Sequence, residues 1–160
     1  MPRARALVIA MATAVCLTVT SLMPVAAATT EAAAVVSFAE AQVGKPWRFN
    51  TTGLSSYDCS GLVWRSFSEA GLASRIGGRQ PSRAYFRWFR ERGLASKSNP
   101  KVGDLIVWGN PVVHIGIYTG QNSVGKQMAV STLTSGVKRH TVMGLTVGFR
   151  AYLHVDLERE

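Results

Sequence analysis

The sequence predicts an α+β domain, with helices in its first half and a mostly antiparallel sheet in its second. Three observations carry that prediction. Up to about Gly93 the apolar residues recur at helical spacing between capping residues and glycines. From Lys101 onward they fall into short β-branched or aromatic runs separated by Gly, Asn and Ser. No linker, low-complexity stretch or internal repeat divides the two halves, so one domain is expected.

The elements follow in order. Thr29 and Thr30 precede the alanine-rich run Glu31 to Gln42, which has an acidic first turn and is stopped by Gly44 and Pro46: a first helix. Residues 45 to 57 read as a loop. A second helix is expected from Asp58 or Cys59 to Ala70, stopped by Gly71, with Cys59, Leu62, Val63, Phe67 and Ala70 near one face. Pro81 and Ser82 cap a third helix that runs to about Arg92 and ends at Gly93. Strands are expected over Leu105 to Trp108, Val112 to Tyr118, Lys126 to Val130, Gly136 to Val142 and Val147 to Leu153.

Residues 1 to 28 read as an export signal. Arg3 and Arg5 form a charged start, Leu7 to Leu22 are apolar but diluted by threonines, and Pro24 to Ala28 offer small residues for cleavage. The apolar stretch is short against the about 20 residues of a membrane span, so no stable anchor is expected after cleavage, and residues 29 to 160 form the mature domain. Val15, where a lipidated cysteine would have Gly or Ala before it, argues against lipidation of Cys16. The chain carries 18 basic and 9 acidic residues, and loss of Arg3 and Arg5 lowers the net charge of +9 by two. A basic exported domain favours anionic surroundings. Nucleic acid, anionic lipid and the acidic polymers of a bacterial wall all fit the charge, but nucleic acid is disfavoured by export and by the lack of a recognised motif.

Cleavage leaves Cys59 as the lone cysteine. Such a thiol is a buried inert group, an intermolecular bridge or a nucleophile. Its setting in Tyr57-Asp58-Cys59-Ser60-Gly61-Leu62, at a helix start, favours the nucleophile, because unpaired N–H groups and the helix dipole lower a thiol pKa from about 8.5. Gly61 is expected to let a substrate backbone approach, and the Cys59 N–H to face a developing oxyanion. Among the three histidines, His114 is the candidate base: it opens His114-Ile115-Gly116-Ile117-Tyr118, a strand pattern in which Gly116 leaves space on the histidine face. The spacing of the remaining Cys and His residues suggests no zinc site.

Four blocks, Gly44-Lys45-Pro46-Trp47, Asp58-Cys59-Ser60-Gly61-Leu62-Val63, Lys101-Val102-Gly103-Asp104-Leu105-Ile106-Val107-Trp108 and His114-Ile115-Gly116-Ile117-Tyr118, resemble in type and order those of the NlpC/P60 family of cell-wall peptidases. The resemblance implies a papain-like α+β fold, helices packed on the sheet, and a Cys59–His114 pair that needs neither metal nor cofactor. It implies hydrolysis of peptidoglycan stem peptides, commonly at the bond from γ-D-glutamyl to a diamino acid, by a secreted or wall-located enzyme, expected to be a monomer. Trp47, Asp58, Ser60 and Arg83 are the expected substrate contacts, with Asp58 also fixing the helix start. An amidase or transpeptidase using the same thiol chemistry, and a catalytically weak wall-binding domain, are the alternatives.

Two positions depart from the family pattern. Trp47 stands where a tyrosine is usual, so a phenolic hydroxyl is lost. Matching Ser135-Gly136-Val137 to the family's turn puts Val130 at the position of the third catalytic residue, and valine cannot orient an imidazole. If residues 126 to 130 and 136 to 142 form a hairpin, His140 is expected about opposite Val130 and becomes the substitute; otherwise it belongs to a solvent-facing Lys138-Arg139-His140 cluster. His154 reads as ordinary surface. In the third helix Arg79, Arg83 and Arg87 recur at four-residue spacing, either as a solvated face or as a stripe for stem carboxylates or wall phosphates.

Overall fold

The computed structural model describes residues 30–159, and the expected export signal lies outside the described residues. Helix α1 (Glu31–Ala41) starts where the Thr30 hydroxyl accepts the Ala33 N–H at 3.2 Å, and it buries Ala32, Val35, Val36 and Ala39. Helix α2 (Cys59–Glu69) starts at Asp58, whose carboxylate accepts the Gly61 N–H at 2.6 Å, and it buries Leu62, Val63 and Phe67. A 3-10 turn at Ala73–Ile76 leads towards α3 (Ser82–Glu91), which buries Tyr85 and Phe89 and carries Arg92 over the Trp88 ring at 3.9 Å. The side chains expected to cap α3 make no cap hydrogen bond: Pro81 holds the cap position by backbone shape and Ser82 is already helical.

Six strands follow: β1 (Ala95–Ser96), β2 (Leu105–Trp108), β3 (His114–Gln121), β4 (Gln127–Leu133), β5 (Gly136–Thr141) and β6 (Phe149–Leu153). Their order is β1-β6-β2-β3-β4-β5, and every neighbouring pair is antiparallel. Alternation splits the sheet into two faces. Leu105, Val107, Ile115, Ile117, Val130, Val137 and Leu153 pack with the helices in the main core. Ile106, Trp108, Tyr118, Ala129, Val142 and Tyr152 form a smaller cluster on the other face.

Strand boundaries differ from the sequence reading, and β3 and β4 each run three residues further than expected, to Gln121 and Leu133. The strand expected from Val112 begins at His114, because Val113 N–H closes a turn onto the Trp108 carbonyl at 3.0 Å. The last strand begins at Phe149 rather than Val147, and β1 is two residues long, below what a periodic pattern reveals. A further difference reaches the site. The β4–β5 hairpin turns at Thr134 and Ser135 as expected, with Leu133 paired to Gly136, but Val130 then faces Arg139 and His140 faces Ala129. One residue of register moves a side chain to the other face, so Val130 lies fully buried in the main core and Ser131 takes the face that carries His114.

Candidate active site

The N-terminus of α2 and the start of β3 meet at one open cavity of about 670 Å³, lined among others by Trp47, Asp58, Cys59, Ser60, His114 and Thr132. Cys59 is a half-buried free thiol in the first turn of α2. The turn is locked from outside: Asp58 accepts Ser60 Oγ–H at 3.1 Å, and Arg79 donates to Ser60 Oγ at 2.7 Å and pairs with Asp58 at 3.4 Å. Gly61 serves the chain itself rather than a substrate, because a Cβ there would lie 1.9 Å from the Thr51 carbonyl oxygen. That close approach seats the 45–57 loop against α2, helped by the Asp58 N–H bond to Thr51 at 3.2 Å.

Trp47 is held at the cavity by the backbone before it. Gly44 N–H donates to Val137 and Val137 N–H to Lys45, at 2.9 and 2.8 Å, while Gly136 leaves room for the Lys45 carbonyl, which a Cβ would approach to 2.6 Å. Trp47 itself is 42% exposed. The nearby buried hydroxyl belongs to Tyr57, which donates to Gln42 Oε1 at 3.0 Å, away from solvent.

The electrostatics correct one expectation. Burial first, then the Asp58 carboxylate, push the Cys59 thiol up, against the opposing pull of the Ile115, Ser60 and Cys59 N–H groups. The helix terminus therefore moderates a desolvated thiol without producing a standing thiolate. The Ile115 N–H belongs to the peptide that follows His114, so the sulfur and the imidazole sit against the same stretch of backbone. Burial, and secondarily His140, push His114 down to about 4, which leaves it a neutral base at physiological pH.

His114 Nε2 lies 2.8 Å from Ser131 Oγ, and Ser131 Oγ lies 2.8 Å from His140 Nε2. His140 Nδ1 lies 3.0 Å from the Thr141 carbonyl. His140 thus reaches the site through Ser131, and its own pKa is also lowered by burial. Trp108 covers both rings, with centroids 5.3 Å from His114 and 5.7 Å from His140. Gly116, opposite Ser131, leaves no spare space: a Cβ there would come within 2.8 Å of Ser131 Cβ.

The structure therefore brings Cys59, His114, Trp47, Asp58 and Ser60 together and links His140 to them indirectly. Arg83 lies beside this cavity, in a groove with Arg87 that shares Pro81, Ser82 and Val113 with the main one. Sequence reasoning missed the roles of Ser131 and Trp108, and it put Arg79 on an arginine face of the third helix, whereas Arg79 precedes α3 and bonds Ser60 and Asp58. Counting back from the turn at Thr134 and Ser135 by alternation finds Ser131, whereas Arg79 meets Asp58 across 21 residues with no local signal. His154 is also corrected: it is bound between Asp104 at 2.8 Å and Ser96 at 2.7 Å.

Comparison with known proteins places these features in a wider group. The model of the NlpC/P60 family matches residues 44–150. The chain is 34% identical over 92 residues to the probable peptidoglycan endopeptidase LytE of Bacillus subtilis, which covers 56% of this chain and 25% of that protein. It is 27% identical over 113 residues to the probable endopeptidase p60 of Listeria monocytogenes, covering 69% of this chain and 21% of the other. The chain thus spans about a quarter or less of the length of these relatives. Among solved structures, the NlpC/p60 domain of the peptidoglycan hydrolase SagA superposes with a TM-score of 0.59 at 22% identity, covering 77% of this chain and 97% of that one. An NlpC/P60 family protein from Bacillus cereus gives 0.62 at 17% identity, covering 78% and 40%.

Proposed function

The chain belongs to the NlpC/P60 family, and we propose on that premise that it is an exported cysteine endopeptidase that hydrolyses peptide stems of bacterial peptidoglycan, at the bond from γ-D-glutamyl to a diamino acid. The observation that carries this reading is the meeting of a free thiol at a helix N-terminus with a desolvated, neutral imidazole in one open cavity. At rest both groups are uncharged. As the sulfur attacks the scissile carbonyl, His114 Nδ1 takes the thiol proton, and the C–S bond forms without an exposed thiolate beforehand. The oxyanion develops beside the N–H groups at the start of α2. The imidazolium then protonates the leaving amine, and water, deprotonated by the same ring, hydrolyses the thioester and returns the thiol.

Trp47 and Ser60 line the approach to the thiol, and the Asp58–Ser60–Arg79 network keeps that wall rigid. The groove of about 500 Å³ holding Arg83 and Arg87 is suited to an anionic part of the stem or of a wall polymer, since forked guanidinium donors match carboxylate and phosphate. The basic mature domain acts in the wall and is retained there by charge. A weak binding-only domain keeps Trp47 as its motivation but not Val130, which belongs to the core while Ser131 supplies a polar partner for the imidazole. The test is incubation of residues 29 to 160 with purified wall fragments and mass spectrometry of the products. Release of fragments with a new diamino-acid amine, abolished in Cys59→Ala, is expected; equal release by Cys59→Ala overturns the proposal.

A further inference from the structure

We propose that Ser131 is the residue that orients the imidazole of His114, and that His140 acts only through Ser131, by holding its hydroxyl in the one direction that leaves His114 in the base-competent tautomer. This rests on the reading of Cys59 and His114 as nucleophile and base. The direction of the chain follows from the donor and acceptor capacity of each atom. The Thr141 carbonyl only accepts, so His140 Nδ1, 3.0 Å away, carries a hydrogen. In a neutral ring Nε2 is then an acceptor, and the single Ser131 hydroxyl hydrogen points to it across 2.8 Å. With its hydrogen so committed, Ser131 Oγ offers a lone pair to His114, whose Nε2 at 2.8 Å must carry the hydrogen. His114 Nδ1 is left bare, and it makes no hydrogen bond among the described residues. That is the nitrogen free to take the proton from Cys59.

The packing forbids a looser arrangement. Ser131 is fully buried, so its hydroxyl has no solvent alternative. Gly116 opposite it removes the side chain that would push the strands apart, and Trp108 lies against both imidazoles. The burial of Ser131 strengthens each link and penalises any broken one. No carboxylate takes part.

The same chain has a second consequence. A proton on His140 makes Nε2 a donor, so the Ser131 hydroxyl must turn towards His114, which then accepts at Nε2 and carries its hydrogen on Nδ1. That tautomer cannot receive the thiol proton. Among the described residues, the titratable group facing His140 is His114; the neighbouring Arg139 pairs with Glu40 at 3.3 Å and Lys138 is exposed. Protonating His140 therefore reverses the chain and switches the base off.

The experiment uses the domain with 15N-labelled histidine. Two-bond couplings at neutral pH are expected to give hydrogen on Nε2 of His114 and on Nδ1 of His140. Ser131→Ala is expected to mix the His114 tautomers and to lower kcat about tenfold or more with KM unchanged. His140→Ala should do the same, His140→Gln should recover part of the loss through its acceptor oxygen, and the Ser131→Ala/His140→Ala double variant should be no worse than Ser131→Ala alone. A His114 that keeps hydrogen on Nε2 in Ser131→Ala, or additive losses in the double variant, overturns the inference. If Ser131→Ala fails to fold, the His140→Ala and His140→Gln pair decides by the same tautomer readout. A wild-type domain with the expected tautomers but no action on wall peptides supports this inference and sinks the proposed function instead.

Discussion

Two histidine–serine pairs sit at opposite ends of the sheet, and each joins a ring Nε2 to a serine hydroxyl. At one end His114 Nε2 meets Ser131 at 2.8 Å; at the other His154 Nε2 meets Ser96 at 2.7 Å. The difference lies on the far side. His154 Nδ1 rests 2.8 Å from the Asp104 carboxylate, which is fully buried and also accepts Arg159 Nη2 at 2.9 Å, Lys101 N–H at 2.9 Å and Val155 N–H at 3.1 Å. His114 has only another imidazole and a carbonyl behind its serine. A buried carboxylate that meets His154, Arg159 and two backbone N–H groups fixes the hydrogens around it and makes a latch that ties β1, β2 and the chain after β6. A chain of uncharged groups beside the cavity can change its protonation, which the proposed role of His114 as base requires. The location of charge, more than the residue types, separates structural from chemical use.

The largest effect expected from breaking this contrast is at Asp104. Asp104→Ala removes the centre of the latch and strands Arg159, His154 and two backbone N–H groups, so a stability loss of about 3–5 kcal/mol is expected. Chemical denaturation measures it. Turnover per folded molecule should stay near wild type, and a large loss of turnover with intact stability would show that the latch reaches the chemistry.

What the sequence revealed and what it hid divide along the same line. Caps and glycines marked all three helices, and the turn at Thr134 and Ser135 was visible because such signals are local. Cys59 and His114 stood in contiguous blocks that could be read without knowing the fold. Ser131 was hidden by one residue of register, since Val130 and Ser131 differ only in which face of β4 they occupy. The Asp104–His154 bond joins residues 50 apart through the β2–β6 pairing, and the upward shift of Cys59 arises from burial that only the packed fold creates. Local chemistry was legible; desolvation and cross-strand partners were not.

A middle-sized effect concerns pH. His114 is held at about 4 when folded, against about 6.5 for an ordinary histidine, so the unfolded chain binds a proton that the folded chain refuses between those values. Folding stability is therefore full above about 6.5 and falls as pH drops towards 4, by about 3 kcal/mol from this group. Denaturant titrations across that range should show the slope, and His114→Gln should flatten it. The acid limb of kcat/KM should likewise lie below the ordinary histidine range, because burial lowers both His114 and His140 and protonation of either takes His114 out of its base form. A limb near 6.5 would mean that one of the two imidazoles is more hydrated than its packing against Trp108 implies.

The smallest expected effect isolates the comparison most cleanly, because it makes the same substitution at both ends. Ser96→Ala deletes one half-buried hydroxyl that meets His154 and also the carbonyl and N–H of the exposed Ser98, leaves His154 bound to Asp104, and should cost about 1–2 kcal/mol. The carboxylate still fixes the His154 ring, so neither kcat nor the pH profile should move. Ser131→Ala removes an equally short contact but the only partner of His114 Nε2 among the described residues, so its cost should fall on kcat and on the tautomer. Equal behaviour of the two alanine variants, both losing only stability or both shifting the pH profile, would break the distinction. Opposite behaviour ties the difference to the buried carboxylate, and an Asp104→Ala/Ser96→Ala double variant then checks it: without the carboxylate the Ser96 bond no longer meets a fixed ring, so the double loss should fall short of the sum of the single losses.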